Sequence, residues 1–225
     1  LVRLYNTDFG YTALGSSGEA ERERALQLAK EGLAADRGNV HAQTVLAFCY
    51  LWQDLRDLAR QLFEQAFALN PYNPVRLNEV AAAMIYLGDF DRAGTLFEMG
   101  LHLQRFADDN FHEDRGKLHL MAGDYGAARE SLLSMARHTI WSQLYLALAD
   151  VELDNADGPG RFEAWVKAVG DGWHSTPAPS PEDIQQWVRH HHPFVAPAGE
   201  PLFAAIEQAF AQWPAPLRAP VQARE

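Results

Sequence analysis

Three sets of side chains in this 225-residue sequence have types and spacings that chemistry uses. The first is His190-His191-His192, with His174 upstream. A zinc site needs three or four donors converging on a tetrahedron. Three consecutive residues at a helix end point in different directions, and histidines there complement the negative end of the helix dipole. The run therefore reads as a helix terminus, and no metal site is expected. The second set is His112, Arg115 and His119, whose spacing of three and four puts them on one helical face. Asp150 stands on a later helix, where a large apolar residue is usual. A buried charge persists only when paired, so Arg115 is expected to pair with Asp150 or Asp114, with His119 hydrogen-bonded beside it. A sharper reading makes His112, Arg115, His119 and Asp150 a small anionic-ligand pocket or a pH-sensitive switch. The third is Cys49, the single cysteine, between Phe48 and Tyr50. It cannot form an internal disulfide and reads as a buried helical residue suited to a reducing cytoplasm.

Catalytic signatures do not emerge. The sequence has no Ser/His/Asp arrangement, no phosphate-cradling glycine loop and no zincin motif. The paired carboxylates Asp108-Asp109 read as a solvated turn. The expectation is a non-enzyme without a cofactor.

Composition narrows the partners. Formal net charge is -11 and hydrophobic content is 48%, ample for a core. An acidic chain without a concentrated Lys/Arg patch is a poor binder of nucleic acid. Its surface would repel anionic membranes, and no apolar run approaches the length of a membrane span. A cytoplasmic setting is expected. The chain starts at Leu1 with neither methionine nor a secretory n-region, so it reads as a piece of something longer.

The elements that must position these residues follow a repeat. Leu46, Ala47, Tyr50, Ala59, Phe63 and Ala66 are answered 34 residues later by Val80, Ala81, Met84, Ala93, Phe97 and Gly100. Small residues let two helices approach, and large ones beside them fill the gaps. Asn70-Pro71 closes the first copy, and Asp54 and Gly88 hold equivalent turns. This grammar resembles the tetratricopeptide repeat (TPR) family over about Glu19 to Val169. The stretches LAADRGNVHAQTVLAFCYLW and ALNPYNPVRLNEVAAAMIYLGDFDRA also resemble TPR regions of bacterial signalling proteins, such as adenylyl cyclases and winged-helix regulators.

The fold class expected is all-α: a TPR-like α-α superhelix, or solenoid, with a C-terminal two-helix cap. Residues 1–171 would form the array, with a helix over Leu1–Leu14, a loop at 15–18, a degenerate first repeat, and repeats near 40–73, 74–107, 109–139 and 140–169. Residues 172–225 would supply a linker, two cap helices and a tail from Pro214. Ser180-Pro181-Glu182-Asp183 is a helix start, with serine as N-cap, proline at N1 and acids in the first turn.

The resemblance also implies a concave groove lined by the first helix of each repeat. Here that places His41, Thr44, Phe48, Trp52, Asn78, Ala82, Tyr86, Glu113, Lys117 and Trp141 on the groove. The family's carboxylate clamp needs lysines and asparagines in successive repeats, and only Asn78 and Lys117 approach it. The surface is otherwise aromatic and apolar, the kind that anchors a partner helix or peptide. The function expected is a scaffold binding a protein or peptide partner, with homo-oligomers open. The chain's own C-terminal segment is the other candidate occupant. The aromatics Trp173, Trp187, Phe194, Phe203, Phe210 and Trp213 need burial. Trp187, Phe203 and Phe210 are expected mainly on helix Arg161–Val169 and its neighbour, as a hydrophobic cap, leaving the Phe48–Trp52–Tyr86 end open.

Overall fold

The computed structural model describes residues 19–103, 107–173 and 178–213. The helix expected over residues 1–14, the loop at 15–18, His174 and the tail from Pro214 lie outside the described residues. Eleven helices, and no strand, occur among the described residues. They are α1 (Glu19–Ala35), α2 (Val40–Trp52), α3 (Arg56–Leu69), α4 (Pro74–Tyr86), α5 (Phe90–Leu103), α6 (Asp109–Met121), α7 (Tyr125–Leu133), α8 (Ile140–Glu152), α9 (Gly158–Asp171), α10 (Pro181–His191) and α11 (Glu200–Gln212).

Among the described residues, six helix starts carry a side-chain cap. The side chains of Asn39, Asn73, Asp108 and Asp124 accept backbone N–H groups of the first turn of α2, α4, α6 and α7. Thr139 and Ser180 form reciprocal capping boxes at α8 and α10. The turn inside each pair is equally regular. Asp54, Gly88, Gly123 and Asp154 all have positive φ, at 61°, 73°, 76° and 52°. One residue later, the N–H of Leu55, Asp89, Asp124 and Asn155 returns to the carbonyl of Tyr50, Met84, His119 and Asp150, each at 2.9 Å. Four copies of one left-handed helix stop set the phase of the pairs α2/α3, α4/α5, α6/α7 and α8/α9.

Helices α2, α4, α6 and α8 pack side by side as an inner layer, each against the second helix of its pair. Ala47, Ala59, Ala81, Ala93, Ala128 and Ala147 are fully buried where helices approach, with Phe63, Phe97 and Leu132 filling the gaps. Each such large side chain contributes roughly 1.5–3 kcal/mol by leaving water. Gly116 is the limiting case: a β-carbon there would lie 2.6 Å from Leu132 Cγ.

The C-terminal helices both reach the inner layer. Helix α11 packs across α8 and α6 and sets Phe210 edge-on against Phe162 of α9, 5.1 Å between ring centres. The end of α10 and the chain after it also lie against the inner helices, where Trp187 stacks on Trp141 of α8 at 4.6 Å. Phe203 meets Phe194 and the Arg189 guanidinium. Trp187 thus rests on α8, the neighbour of α9, and Phe210 on α9, both within the expected cap surface; Phe203 is the correction, since it packs on Phe194 and Arg189 of the C-terminal segment itself.

Candidate functional site

The groove is built where first-helix residues face inward, and residues 187–198 cross it. Four contacts seat this strap. Trp187 stacks on Trp141. The Tyr145 hydroxyl and His192 Nε2 are 2.7 Å apart. His192 Nδ1 lies 2.8 Å from the Val188 carbonyl, which can only accept, so Nδ1 carries the proton and Tyr145 donates to Nε2. Phe194 packs on the Tyr86 ring at 5.0 Å. The Val195 N–H donates to the Tyr86 carbonyl at 2.8 Å. That carbonyl ends α4 and has no partner within its own helix.

The floor beneath the strap is charged. Lys117 is 4% exposed. Its ammonium donates to Asp114 at 3.0 Å and to the Tyr86 hydroxyl at 3.2 Å, and sits 4.4 Å from the Tyr86 ring centre. The second Asp114 oxygen accepts from Asn78 at 3.1 Å. Burial opposes the Lys117 charge, but the Tyr86 and Asp114 oxygens outweigh it and hold its pKa well above the ordinary value. Burial pushes the His192 pKa down to about 3, and Lys117 adds repulsion. Burial likewise takes His191, whose Nδ1 donates to the Trp187 carbonyl, down to about 2. Both histidines are therefore neutral at pH 7.

The expected groove residues divide into two zones. Tyr86, Lys117 and Trp141 lie under the strap, and Trp52 packs edge-on to Tyr86 at 5.7 Å. The open Tyr86 end is thus corrected, because Phe194 and Val195 cover it. His41 is exposed and joins Thr44 through Arg76, at 3.0 and 2.8 Å. Phe48 is half-buried against Trp52 and Phe63, and Ala82 is buried. Glu113 hydrogen-bonds the Thr139 hydroxyl.

The second candidate cluster does not assemble around Arg115 and Asp150. Asp150 is fully buried and held by Arg129 of α7 at 2.6 Å and Arg161 of α9 at 2.9 Å. Arg115 pairs instead with Glu98 of α5 at 3.6 Å. The pairing expected from helical position fails because both neighbouring second helices carry an arginine nearer to Asp150. His112 and His119 share the Arg115 face, and burial lowers the pKa of both. Asp124 is 3.9 Å from His119. Burial raises the Cys49 thiol to about 12, leaving it protonated and inert. Among the described residues, no group of three His, Cys, Asp or Glu side chains is placed to hold a metal, and no helix is long and apolar enough to cross a membrane.

Sequence reasoning passed over Tyr145, Arg129 and Arg161. Tyr145 lies four residues after Trp141 on α8, so their helical spacing was the available signal.

Neither a protein-family profile nor any curated protein matches the sequence. Among solved structures, the chain is similar to PilW, described as a widely conserved type IV pilus biogenesis factor. The TM-score is 0.55 at 16% identity, over 93% of this chain and 92% of that one. At that identity the likeness speaks for the fold alone: a TPR-like all-α repeat scaffold.

Proposed function

We propose that this chain is a non-catalytic protein-interaction scaffold whose groove receives a polypeptide segment, with its own C-terminal strap holding the groove at rest. The observation that carries this reading is the seating of residues 187–195. The end of α10 and the non-helical chain after it already meet the groove through ring stacking, a side-chain hydrogen bond and a backbone hydrogen bond. These are the contacts by which grooves hold peptides.

The charged floor supports an opening groove. A permanently closed core gains nothing from a buried Lys117–Asp114 pair, since apolar replacements of like volume are often as stable or more so. The pair suits a surface that water reaches in another state. The strap is suited to exposure too, since His191 and His192 are readily solvated once released. PilW is a type IV pilus biogenesis factor, and the likeness is compatible with an assembly role.

The test is a full chain with a weakened strap, Trp187→Ala with Phe194→Ser, panned against a random peptide library. Binders that crosslink to the Tyr86 or Trp141 positions support the reading. Binders that map elsewhere, or none at all on a folded chain, overturn it.

A further inference from the structure

The strap reports which segment the groove accepts. Trp187 needs a flat shelf, which Trp141 supplies at an interplanar angle of 24°. His192 is used as a hydrogen-bond acceptor by Tyr145. Phe194 needs the Tyr86 face. Val195 offers its N–H to a carbonyl that the end of α4 leaves unpaired. Pro193 precedes Phe194 and turns the chain, with the Phe194 N–H returning to the His192 carbonyl at 2.7 Å.

The wall of the groove makes room for this path. At Gly88 a β-carbon would lie 3.1 Å from both Val195 Cγ2 and Ala198 Cβ. Gly123, at the equivalent turn of the next pair, has nothing within 4 Å of the same position. Positive φ favours glycine at both turns, but only at Gly88 does the crossing strap also occupy the space beside it.

Resting on the function proposed above, we propose that the groove recognises a partner polypeptide by the pattern the strap displays. The pattern is an aromatic ring, a hydrogen-bond acceptor five residues on, proline next, a second aromatic at seven, and a free peptide N–H at eight. The acceptor site excludes cations. Tyr145 donates there and Lys117 stands close by, so a glutamate or glutamine suits the position and a lysine does not. Recognition is thereby directional, since the aromatic shelf and the acceptor site are distinct places in the groove.

A labelled synthetic peptide spanning residues 181–199 tests this by fluorescence anisotropy on full-length chains. The parent chain competes with its own tethered strap, whose effective concentration is of millimolar order. The Trp187→Ala/Phe194→Ser chain should bind the peptide at least about tenfold more tightly than the parent does. Phe194→Ser alone is the milder second receptor, in case the double variant fails to fold. Peptides carrying Phe194→Ser or His192→Lys should lose about tenfold or more, whereas His192→Glu should bind as well as the unchanged peptide. Equal binding to parent and opened chains, or indifference to Phe194→Ser and His192→Lys in the peptide, overturns the proposal. Library binders that map to the groove without the pattern would sink this pattern while leaving the scaffold reading intact.

Discussion

The hydroxyl of Tyr145 and the imidazole of His192 meet 2.7 Å apart across 47 residues of sequence, one from the groove wall and one from the strap. Both groups are buried, and each satisfies the other. The contact ties a repeat helix to the chain that crosses it, so it should report whether the strap is seated.

Tyr145→Phe should leave His192 Nε2 buried without a donor. The cost is roughly 1–3 kcal/mol, the desolvation of one orphaned polar atom. It should appear as a lower urea midpoint and a changed environment for Trp141 and Trp187 fluorescence. The pair Tyr145→Phe with His192→Phe should recover much of the loss, because no polar atom is then stranded. A Tyr145→Phe chain as stable as the parent would place the hydroxyl in water.

Acid should release the strap before the repeats unfold. Seated His192 and His191 have pKa values lowered to about 3 and about 2 by burial, whereas a released histidine titrates near 6.5. The released state therefore binds protons that the seated state refuses. Strap seating is fully favoured above about pH 6.5 and weakens as pH falls below it, by up to roughly 1.4 kcal/mol per pH unit for each histidine. Lys117 on α6 repels the His192 charge, and Arg22 on α1 and His190 repel that of His191. Asp114 is engaged by Lys117 and Asn78, and Tyr86 and Tyr145 remain neutral as burial raises both. Tryptophan fluorescence should change between about pH 6 and pH 4 while helical circular dichroism persists. A His191→Gln/His192→Gln chain should lose that early transition. Coincident loss of both signals in the parent would count against a separately released strap.

The repeat scaffold was legible because its information is local. Small residues at 47, 59, 81 and 93, and the turn residues at 54, 88 and 123, recur at nearly constant spacing. Each constrains a contact within one or two helices. The strap was legible only as a need for burial. Its aromatics announce that they must be covered by α9 and its neighbour, but the particular seat of Trp187 on Trp141 and of His192 on Tyr145 depends on where the inner layer presents flat rings and a tyrosine hydroxyl. Asp150 shows the same limit. Its interior position was readable, but the choice among Arg115, Arg129 and Arg161 rests on how neighbouring second helices flank α8, which no single helical pattern contains.

The three arginines can be separated by mutation. Asp150→Ala should cost about 3 kcal/mol, the lower end for breaking a buried pair, because Arg129 and Arg161 are a third exposed and can turn to solvent. Arg129→Met with Arg161→Met should cost more, since a fully buried carboxylate would remain unpaired. Arg115→Met should be nearly silent, as its pair with Glu98 is partly exposed and 3.6 Å long. Chemical denaturation ranks the three chains. A large loss in Arg115→Met would mean that Arg115 also reaches the interior.

Two changes around the fourth turn should act in opposite directions. A β-carbon at Gly158 would lie 2.8 Å from the Val151 backbone nitrogen and 3.0 Å from the Asp150 carbonyl carbon, and backbone cannot swing aside as a side chain can. Gly158→Ala should therefore push α8 and α9 apart at roughly 1–3 kcal/mol. Asp154 holds φ at 52° without being glycine, so Asp154→Gly should relieve strain of at most about 1 kcal/mol. Melting temperature should fall in the first and hold or rise in the second. A fall in both would show that the Asp154 side chain stabilises the turn by more than its backbone strain costs.

Removing the strap and α11 together should turn the scaffold into a self-associating protein. A chain ending at Gly172 uncovers the Tyr86, Trp141 and Tyr145 rings of the groove and the Phe162 ring of α9. Lys117 and Asp114 can accept water when uncovered, so the floor should not collapse. The rings cannot, and an apolar patch of that kind drives association. The shortened chain should keep the helices of the repeats by circular dichroism and yet form dimers or larger species by light scattering. A chain ending at Gly199 loses α11 and the residues after it but keeps residues 187–195, so it should associate less. Adding the 181–199 peptide to the Gly172 chain should reduce association by reoccupying the groove, while Phe162 stays bare. If the Gly172 chain remains monomeric and melts at the parent temperature, the C-terminal segment is a separate module that contributes nothing to the array.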